Sequence, residues 1–173
     1  MRVLLIKMSS MGDVFHTFPA LSDAQKNNPD LVIDWVVEKG FAEIPSWHPV
    51  VRHVFPIEVR RWRKSLLKKQ TRAEISTFFK QLKSHQYDLI IDAQGLLKSA
   101  WVASKVNVPV AGYAWSSARE PVASLFYKYK YAVAKDQHAI MRIRQLFSGA
   151  LDYALPDNET MNYGLATSGW QKP

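Results

Sequence analysis

The segment Lys7-Met-Ser-Ser-Met-Gly-Asp13, near the amino terminus, contains five residues that could bind a ligand or take part in chemistry. They are Lys7, Ser9, Ser10, Gly12 and Asp13. The apolar run Val3–Ile6 precedes this segment, and a helical pattern follows it. The combination predicts a buried strand that leads directly into the start of a helix. In open parallel sheets, ligands bind at such junctions, at the carboxyl ends of the strands. Lys7 and Asp13 are therefore the first candidates for chemistry.

Asp13 has two interpretations. In the first, Ser10-Met-Gly-Asp13 is a capping box in which Asp13 only satisfies the start of the helix. In the second, Asp13 is a general base. The nearby backbone N–H groups and Lys7 favour its ionised form, which makes it a weak base. Glycosyl transfer suits a weak base, because the attacking hydroxyl becomes acidic as it approaches an oxocarbenium-like centre. The residues alone leave both interpretations open.

A concentrated basic cluster, Arg60-Arg-Trp-Arg-Lys64, is the second candidate. The chain has a net charge of +8 and a pI of about 9.7, and seven cations against one anion fall between Glu58 and Arg72. Arginine side chains bind carboxylates and phosphates through paired hydrogen bonds, so four cations in a predicted loop favour an anionic partner. Nucleic acid, an anionic membrane and an acidic small molecule all fit this charge.

Short apolar runs alternate with helical patterns along the chain, which predicts an α/β fold with a parallel sheet and helices on both faces. The predicted strands are Val3–Ile6, Leu31–Val37, Val54–Ile57, Leu89–Ile91 and Val108–Val110, with a further short one within Tyr129–Ala134. The predicted helices are Phe15–Gln25, Glu74–Lys83, Leu96–Lys105, Glu120–Tyr129 and His138–Tyr153. Because parallel strands end at one edge, the polar segments that follow them are expected to converge there.

Several classes of protein are disfavoured by the sequence. There is no cysteine, so disulfides, thiolate catalysis and cysteine-zinc sites are excluded for this chain. The five histidines lack metal-ligand spacing. The Lys7–Asp13 loop matches neither a Walker P-loop nor a dinucleotide fingerprint, which disfavours a dinucleotide-dependent enzyme. No signal-peptide pattern or apolar run of transmembrane length is found, and a reducing cytoplasm is expected.

Five segments together resemble the lipopolysaccharide heptosyltransferase I family, within glycosyltransferase family 9. They are Lys7–Asp13, Phe41–Trp47, Arg60–Lys64, Asp92–Gly95 and Ala118–Pro121, and the resemblance runs from Met1 to about Tyr153. It implies the amino-terminal, Rossmann-like half of a GT-B glycosyltransferase. It also implies inverting, metal-independent transfer of heptose from ADP-heptose to the Kdo sugar of Kdo-lipid A, without a cofactor.

The resemblance implies a role for particular residues. Asp13 matches the proposed base. The implied acceptor-binding residues are Lys7, Ser10, Gly12, Arg60, Arg61, Arg63, Lys64, Lys98, Arg119 and His138. Ser10 and Gly12 are expected to shape the turn beside the sugar. The resemblance implies peripheral contact with the anionic inner face of a Gram-negative inner membrane, and no nucleic-acid partner.

The family's chains are about twice as long as this one, and their second half binds ADP-heptose. Residues 1–153 are therefore expected to form an acceptor-binding domain, and residues 154–173 an interdomain linker or truncated tail. The fragment alone is expected not to transfer heptose. The alternative is a non-catalytic basic α/β module that binds nucleic acid or anionic lipid.

Overall fold

Six parallel strands form the centre of the structure, a computed structural model that describes residues 1–155 and 161–165. The strands are β1 (Arg2–Ile6), β2 (Val32–Glu38), β3 (Val51–Ile57), β4 (Leu89–Asp92), β5 (Val110–Tyr113) and β6 (Tyr129–Tyr131). Their order in the sheet is β3-β2-β1-β4-β5-β6, and every neighbouring pair is parallel. This is the Rossmann order, whose direction reverses between β1 and β4.

In the described residues, six α-helices and three short 3-10 helices accompany the strands, and α6 follows the last of them. The α-helices are α1 (Met11–Phe15), α2 (Phe18–Asn27), α3 (Val59–Lys64), α4 (Lys69–Lys83), α5 (Leu97–Ser104) and α6 (Ala139–Leu151). The 3-10 helices are Lys39–Phe41, Ile44–Trp47 and Pro121–Phe126. Among the residues described, no helix is both long enough and apolar enough to cross a lipid bilayer.

Each face of the sheet has its own apolar core. On one face, Phe18 of α2 and Phe147 of α6 are fully buried against the strands. On the other face, Trp62 of α3 and Leu82 of α4 pack against the opposite side chains of the same strands. Burial of both faces requires nearly continuous apolar strands, as the sequence has. The predicted α/β fold, with helices on both faces, is confirmed.

The predicted helix Phe15–Gln25 is wrong as a single element, because it divides into α1 and α2. Thr17 lies between them, and Pro19 occupies the first turn of α2. Proline has no N–H to donate and fixes a helical φ, so it starts a new helix more readily than it continues an old one. The division places α1 directly after the Lys7–Asp13 loop, at the carboxyl edge of the sheet.

The basic cluster lies on α3 and not in a loop as predicted. One turn of helix buries Trp62 and leaves the charged residues Arg60, Arg61, Arg63 and Lys64 exposed. Two other boundaries differ. Strand β3 begins earlier, at Val51, because as an edge strand it tolerates the exposed residues Arg52 and His53. The predicted helix Glu120–Tyr129 is a 3-10 helix followed by β6.

The predicted tail, residues 154–173, is only partly described. Residues 156–160 and 166–173 lie outside the described residues. In the described part, Tyr163 packs against the core that contains α2 and α6. Gly164 has a φ of +62°, and a Cβ there would lie 2.4 Å from Nε2 of His48. This part of the tail therefore returns to the domain surface.

We predict that Gly112→Ala destabilises the fold by about 1–3 kcal/mol, because a Cβ at Gly112 would lie 2.4 Å from the Tyr127 ring. Tyr127 is itself held by a 2.7 Å hydrogen bond from its hydroxyl to Asp92. Chemical denaturation measures the change. The matched control is Gly12→Ala, where the new Cβ meets open space and stability is kept or slightly raised. Equal denaturation midpoints for Gly112→Ala and wild type would contradict the packing.

We also predict that His48 lowers the stability of the fold by about 3 kcal/mol as the pH drops from 7 to 4, because burial lowers the pKa of His48 to about 4. The unfolded chain binds a proton near pH 6.5, which the folded chain accepts only at lower pH. His48→Gln, which can keep a hydrogen bond to Ser22, removes that part of the pH dependence. Unfolding measured across this pH range checks it, and an unchanged slope in the variant would refute it.

Candidate active site

The side chain of Gln94 connects the loop after β1 to the loop after β4, at the position where the strand order reverses. Its side-chain Oε1 accepts hydrogen bonds from the backbone N–H groups of Met8 (2.9 Å) and Ser9 (3.2 Å). The β4 loop is held in turn by Asp92, whose Oδ1 accepts from the N–H groups of Gln94 and Gly95. Burial raises the pKa of Asp92, while these hydrogen bonds and that from Tyr127 favour its charged form. The loops after β1 and β4 are thereby fixed relative to each other.

Lys7 is a buried cation at the end of β1. Its Nζ donates to the carbonyl oxygen of Ala93 at 3.2 Å. Burial lowers the pKa of Lys7, and the neighbouring cations Arg119 and Arg142 lower it further, while Asp13 and Asp92 raise it. Lys7 is therefore not a solvated lysine at a strand end. It is held within a group of charges at the sheet edge.

Asp13 serves as a helix cap with one oxygen. Its Oδ2 accepts a 2.9 Å hydrogen bond from the backbone N–H of Ser10, as the capping interpretation predicts. Within the described residues, Oδ1 has no hydrogen-bond partner, and Asp13 lines a cavity. The two interpretations are therefore compatible. Gly12 lies in the first turn of α1 and adjoins open space, and its place beside the sugar stays a prediction.

A cavity of about 350 Å³ lies at the carboxyl ends of β1 and β4, and we call it the anion cavity. Three predicted residues converge on it: Lys7, Asp13 and Arg119. Its other lining residues are Ala93, Gln94, Tyr113, Lys135, Ala139, Arg142 and Ile143. Four cations and one carboxylate share this space, which suits an acidic ligand that carries a hydroxyl beside Asp13.

Arg142 and Lys135 were missed by the sequence interpretation. Arg142 lies on α6, where its Nη2 donates to the Ser117 carbonyl at 2.6 Å and its guanidinium lies 5.0 Å above the Tyr113 ring. Its Nε is buried without a hydrogen-bond partner in the described part of the chain. Only the position of α6 beside the sheet edge brings it to the cavity, because in sequence it is an ordinary arginine within a helix.

Arg63 and Lys98 border a different space, a groove of about 740 Å³ between α3, α4 and α5. We call it the apolar groove, since seven of its ten lining residues are apolar: Val59, Trp62, Leu66, Ile75, Leu96, Leu97 and Trp101. The other three are Arg63, Lys98 and Glu120. Arg119 and Glu120 are consecutive and border one space each. The anion cavity and the apolar groove therefore adjoin.

The remaining residues of the basic cluster do not line the anion cavity. Arg60 and Lys98 lie near Glu38. Burial raises the pKa of Glu38, and these two cations offset only part of that rise. Arg61 forms salt bridges with Glu58 and Glu74, away from the anion cavity. Lys64 is exposed at the end of α3. The structure thus divides the predicted acceptor-binding cations among several surfaces.

His138 caps helix α6, with Nδ1 accepting from the Ile140 N–H at 3.3 Å. Its ring lies 5.6 Å from the ring of His16, one helical turn after Asp13. Because His16 follows Asp13 on the same short helical segment, this ring contact places His138 at the same edge of the sheet as Asp13.

A second polar cluster lies at the amino end of the sheet, far in the fold from these loops. Asp34, His53 and His85 have ligand atoms close enough together to hold a metal. The guanidinium of Arg2 binds Asp34 through Nε (3.0 Å) and Nη2 (2.7 Å) and also contacts both histidines. The spacing of these histidines in the sequence did not indicate that the fold brings them together. Arg2 already supplies a positive charge to this cluster.

The family model of glycosyltransferase family 9 (heptosyltransferase) matches residues 75–169, which is more than half of the chain. The chain belongs to glycosyltransferase family 9. The match includes Arg119, Lys135 and Arg142 of the anion cavity. The family resemblance seen in the sequence is therefore confirmed.

Curated relatives of this family 9 chain extend the similarity to its amino terminus. Lipopolysaccharide heptosyltransferase 1 of Pseudomonas aeruginosa is 57% identical over 166 residues, which are 95% of this chain and 46% of that protein. The protein of the same name from Escherichia coli K12 is 51% identical over 160 residues, with 92% and 50% covered. The chain spans about half the length of the curated relatives that it matches.

Solved structures of the family have the same fold. Escherichia coli heptosyltransferase WaaC with ADP-2-deoxy-2-fluoro heptose superimposes with a TM-score of 0.91 at 49% identity, covering 94% of this chain and 52% of that one. Escherichia coli ADP-heptose lipopolysaccharide heptosyltransferase II gives a TM-score of 0.67 at 20% identity, with 91% and 44% covered. The second likeness concerns the fold alone. The six-stranded parallel sheet thus matches a domain of GT-B type.

We predict that Gln94→Met destabilises the chain by about 1–3 kcal/mol, because the N–H groups of Met8 and Ser9 lose their shared acceptor. Hydrogen exchange at these two amides should accelerate more than exchange in β3, which lies elsewhere in the sheet. The matched control is Gln70→Met on the exposed start of α4. Unchanged exchange at Met8 and Ser9 in the Gln94 variant would contradict the bridging role.

Proposed function

We propose that this chain is the acceptor-binding domain of an inverting heptosyltransferase, which moves heptose from ADP-heptose to the Kdo sugar of Kdo-lipid A. The observation that carries the proposal is the convergence of Asp13 with Lys7, Arg119 and Arg142 in the anion cavity. Its position at the reversal of strand order is where open α/β sheets bind ligands.

Asp13 is the base of this proposed reaction. Its Oδ1 takes the proton of the attacking Kdo hydroxyl while the hydroxyl oxygen bonds to the anomeric carbon of heptose. The bond from that carbon to the ADP phosphate breaks, and the ADP oxygen keeps the electron pair. The Ser10 N–H holds Oδ2 and so fixes the orientation of the carboxylate. A fixed base near the attacking oxygen contributes about 10²–10⁴-fold to such a step.

The cations of the anion cavity bind the acidic acceptor. Arg119 and Lys135 are exposed and reach toward solvent, whereas Lys7 and Arg142 lie deeper. A Kdo carboxylate placed among them gains charge-assisted hydrogen bonds, and Arg142 has a buried Nε free for one. Arg60, Arg63, Lys64 and Lys98 face the phosphates of lipid A at the border of the site.

The donor side of the proposal rests on the relatives. One solved structure of WaaC holds ADP-2-deoxy-2-fluoro heptose, and that chain is about twice as long as this one. We place ADP-heptose on the part of the longer relatives that this chain does not cover. The exposed cations near α3 would contact the anionic inner face of the inner membrane, where the lipid acceptor lies. The alternative, a non-catalytic basic module, is not favoured by the comparisons.

The test uses a chimera in which residues 1–155 replace the matching segment of the Pseudomonas aeruginosa relative. We predict heptose transfer by the chimera and a loss of about 10²–10⁴-fold in kcat for Asp13→Asn. Stability should stay within about 1 kcal/mol, because the Asn carbonyl can still accept from the Ser10 N–H. Transfer is followed by ADP release from ADP-heptose with Kdo-lipid A as acceptor.

The matched control is Asp30→Asn, an exposed aspartate at the amino end of the sheet, which should leave kcat unchanged. Wild-type kcat in the Asp13→Asn chimera would overturn the assignment of the base. A folded chimera with no transfer, even at saturating acceptor, would overturn the proposed function.

A further inference from the structure

The apolar groove has a composition that the binding of an acidic sugar does not require. Its volume is about 740 Å³, which is within the range of ligand sites and twice that of the anion cavity. The apolar side chains that line it are Val59, Trp62, Leu66, Ile75, Leu96, Leu97 and Trp101. They come from three helices, the segment after α3 and the residue before α5, so the groove is formed by the packing of the domain.

Exposed leucines extend the groove to the protein surface. Leu66 and Leu97 are each about half exposed, and Leu67 is 92% exposed. Trp101 is partly exposed, and its ring packs in a T-shaped arrangement with Phe79, with the ring centroids 5.5 Å apart. Large exposed apolar side chains that form one patch indicate a contact with another apolar surface.

Cations surround this apolar patch. Arg63 and Lys98 border the groove itself. In the sequence, the exposed pair Leu66 and Leu67 is flanked by three lysines, Lys64, Lys68 and Lys69. The acidic residue at the groove, Glu120, is occupied, since its Oε2 accepts from the Leu97 N–H at 2.6 Å. An apolar space with cations at its border is complementary to an anionic lipid, with its tail inside and its charge outside.

The groove lies beside the anion cavity, although the two share no lining residue. Arg119 borders the cavity and Glu120 borders the groove, and the Glu120 N–H donates to the Gly95 carbonyl at 3.0 Å. Gly95 has a φ of +65°, and a Cβ there would lie 3.4 Å from the Arg119 backbone nitrogen. This tight packing fixes the segment that separates the two spaces.

From these observations we infer that the apolar groove binds a hydrocarbon chain of an anionic lipid whose charged head lies toward the anion cavity. The groove is a tail site, separate from the residues that act on the sugar. That the lipid is the acceptor rests on the proposed function, whereas the affinity of the groove for an anionic alkyl chain does not.

The test measures binding of monomeric alkyl phosphates to the 173-residue chain by calorimetry, below their micelle concentrations. From octyl to decyl to dodecyl phosphate, the affinity should rise about two- to fourfold per CH₂, as expected for transfer of that group from water. Leu97→Gln and Leu66→Gln should each weaken dodecyl phosphate binding about fivefold or more and flatten this series. The matched control, Leu125→Gln, changes an exposed leucine outside the groove lining and should leave the series unchanged.

Free Kdo, which has no tail, separates this inference from the proposed function. If free Kdo binds but the affinity for alkyl phosphates does not depend on their chain length, the tail site is overturned and the acceptor proposal stands. Dependence on chain length and on Leu97, without Kdo binding, would support the tail site and count against the acceptor proposal. Binding only to phosphatidylglycerol vesicles, lost in Leu67→Gln, would show contact with a membrane surface and overturn the tail site.

Discussion

The Gln94 carboxamide connects the two loops on which the candidate site depends. It accepts from two successive N–H groups of the loop after β1, while its own loop is held by the buried carboxylate of Asp92. An unpaired buried amide costs about 1–3 kcal/mol, so these bonds fix one arrangement of both loops. Lys7 and Asp13 lie on either side of the linked segment, and their separation follows from it.

Charge at this edge is balanced across several elements. Lys7 is buried near Asp13 and Asp92. Arg142, which follows Lys7 by more than a hundred residues in the chain, packs over Tyr113 from α6. Each of these groups loses hydration on burial, and the neighbouring opposite charges offset part of that cost. The excess of cations over carboxylates in the anion cavity leaves a site whose charge a bound acid would complete. The adjoining apolar groove makes the whole edge amphipathic.

The sequence predicted the parallel sheet because both of its faces are buried, which leaves unbroken apolar runs such as Val3–Ile6. It also placed Lys7, Asp13 and Arg119 at one edge, since each follows a strand. It missed Arg142 and Lys135, because their positions depend on how α6 packs after a long connection. It placed the Arg60–Lys64 cluster in a loop, because one buried tryptophan among four cations leaves little helical periodicity to detect.

The proposed function requires that an acidic sugar binds in the anion cavity beside Asp13. The most direct measurement is NMR of the isotope-labelled chain titrated with Kdo, following the backbone amides and the side-chain amide of Gln94. We expect shift changes that saturate together at Asp13, Gln94, Arg119 and Arg142, with none at His53 or His85 at the amino end of the sheet. Changes confined to the amino end, or none at a concentration of Kdo that saturates the full-length relative, would contradict it.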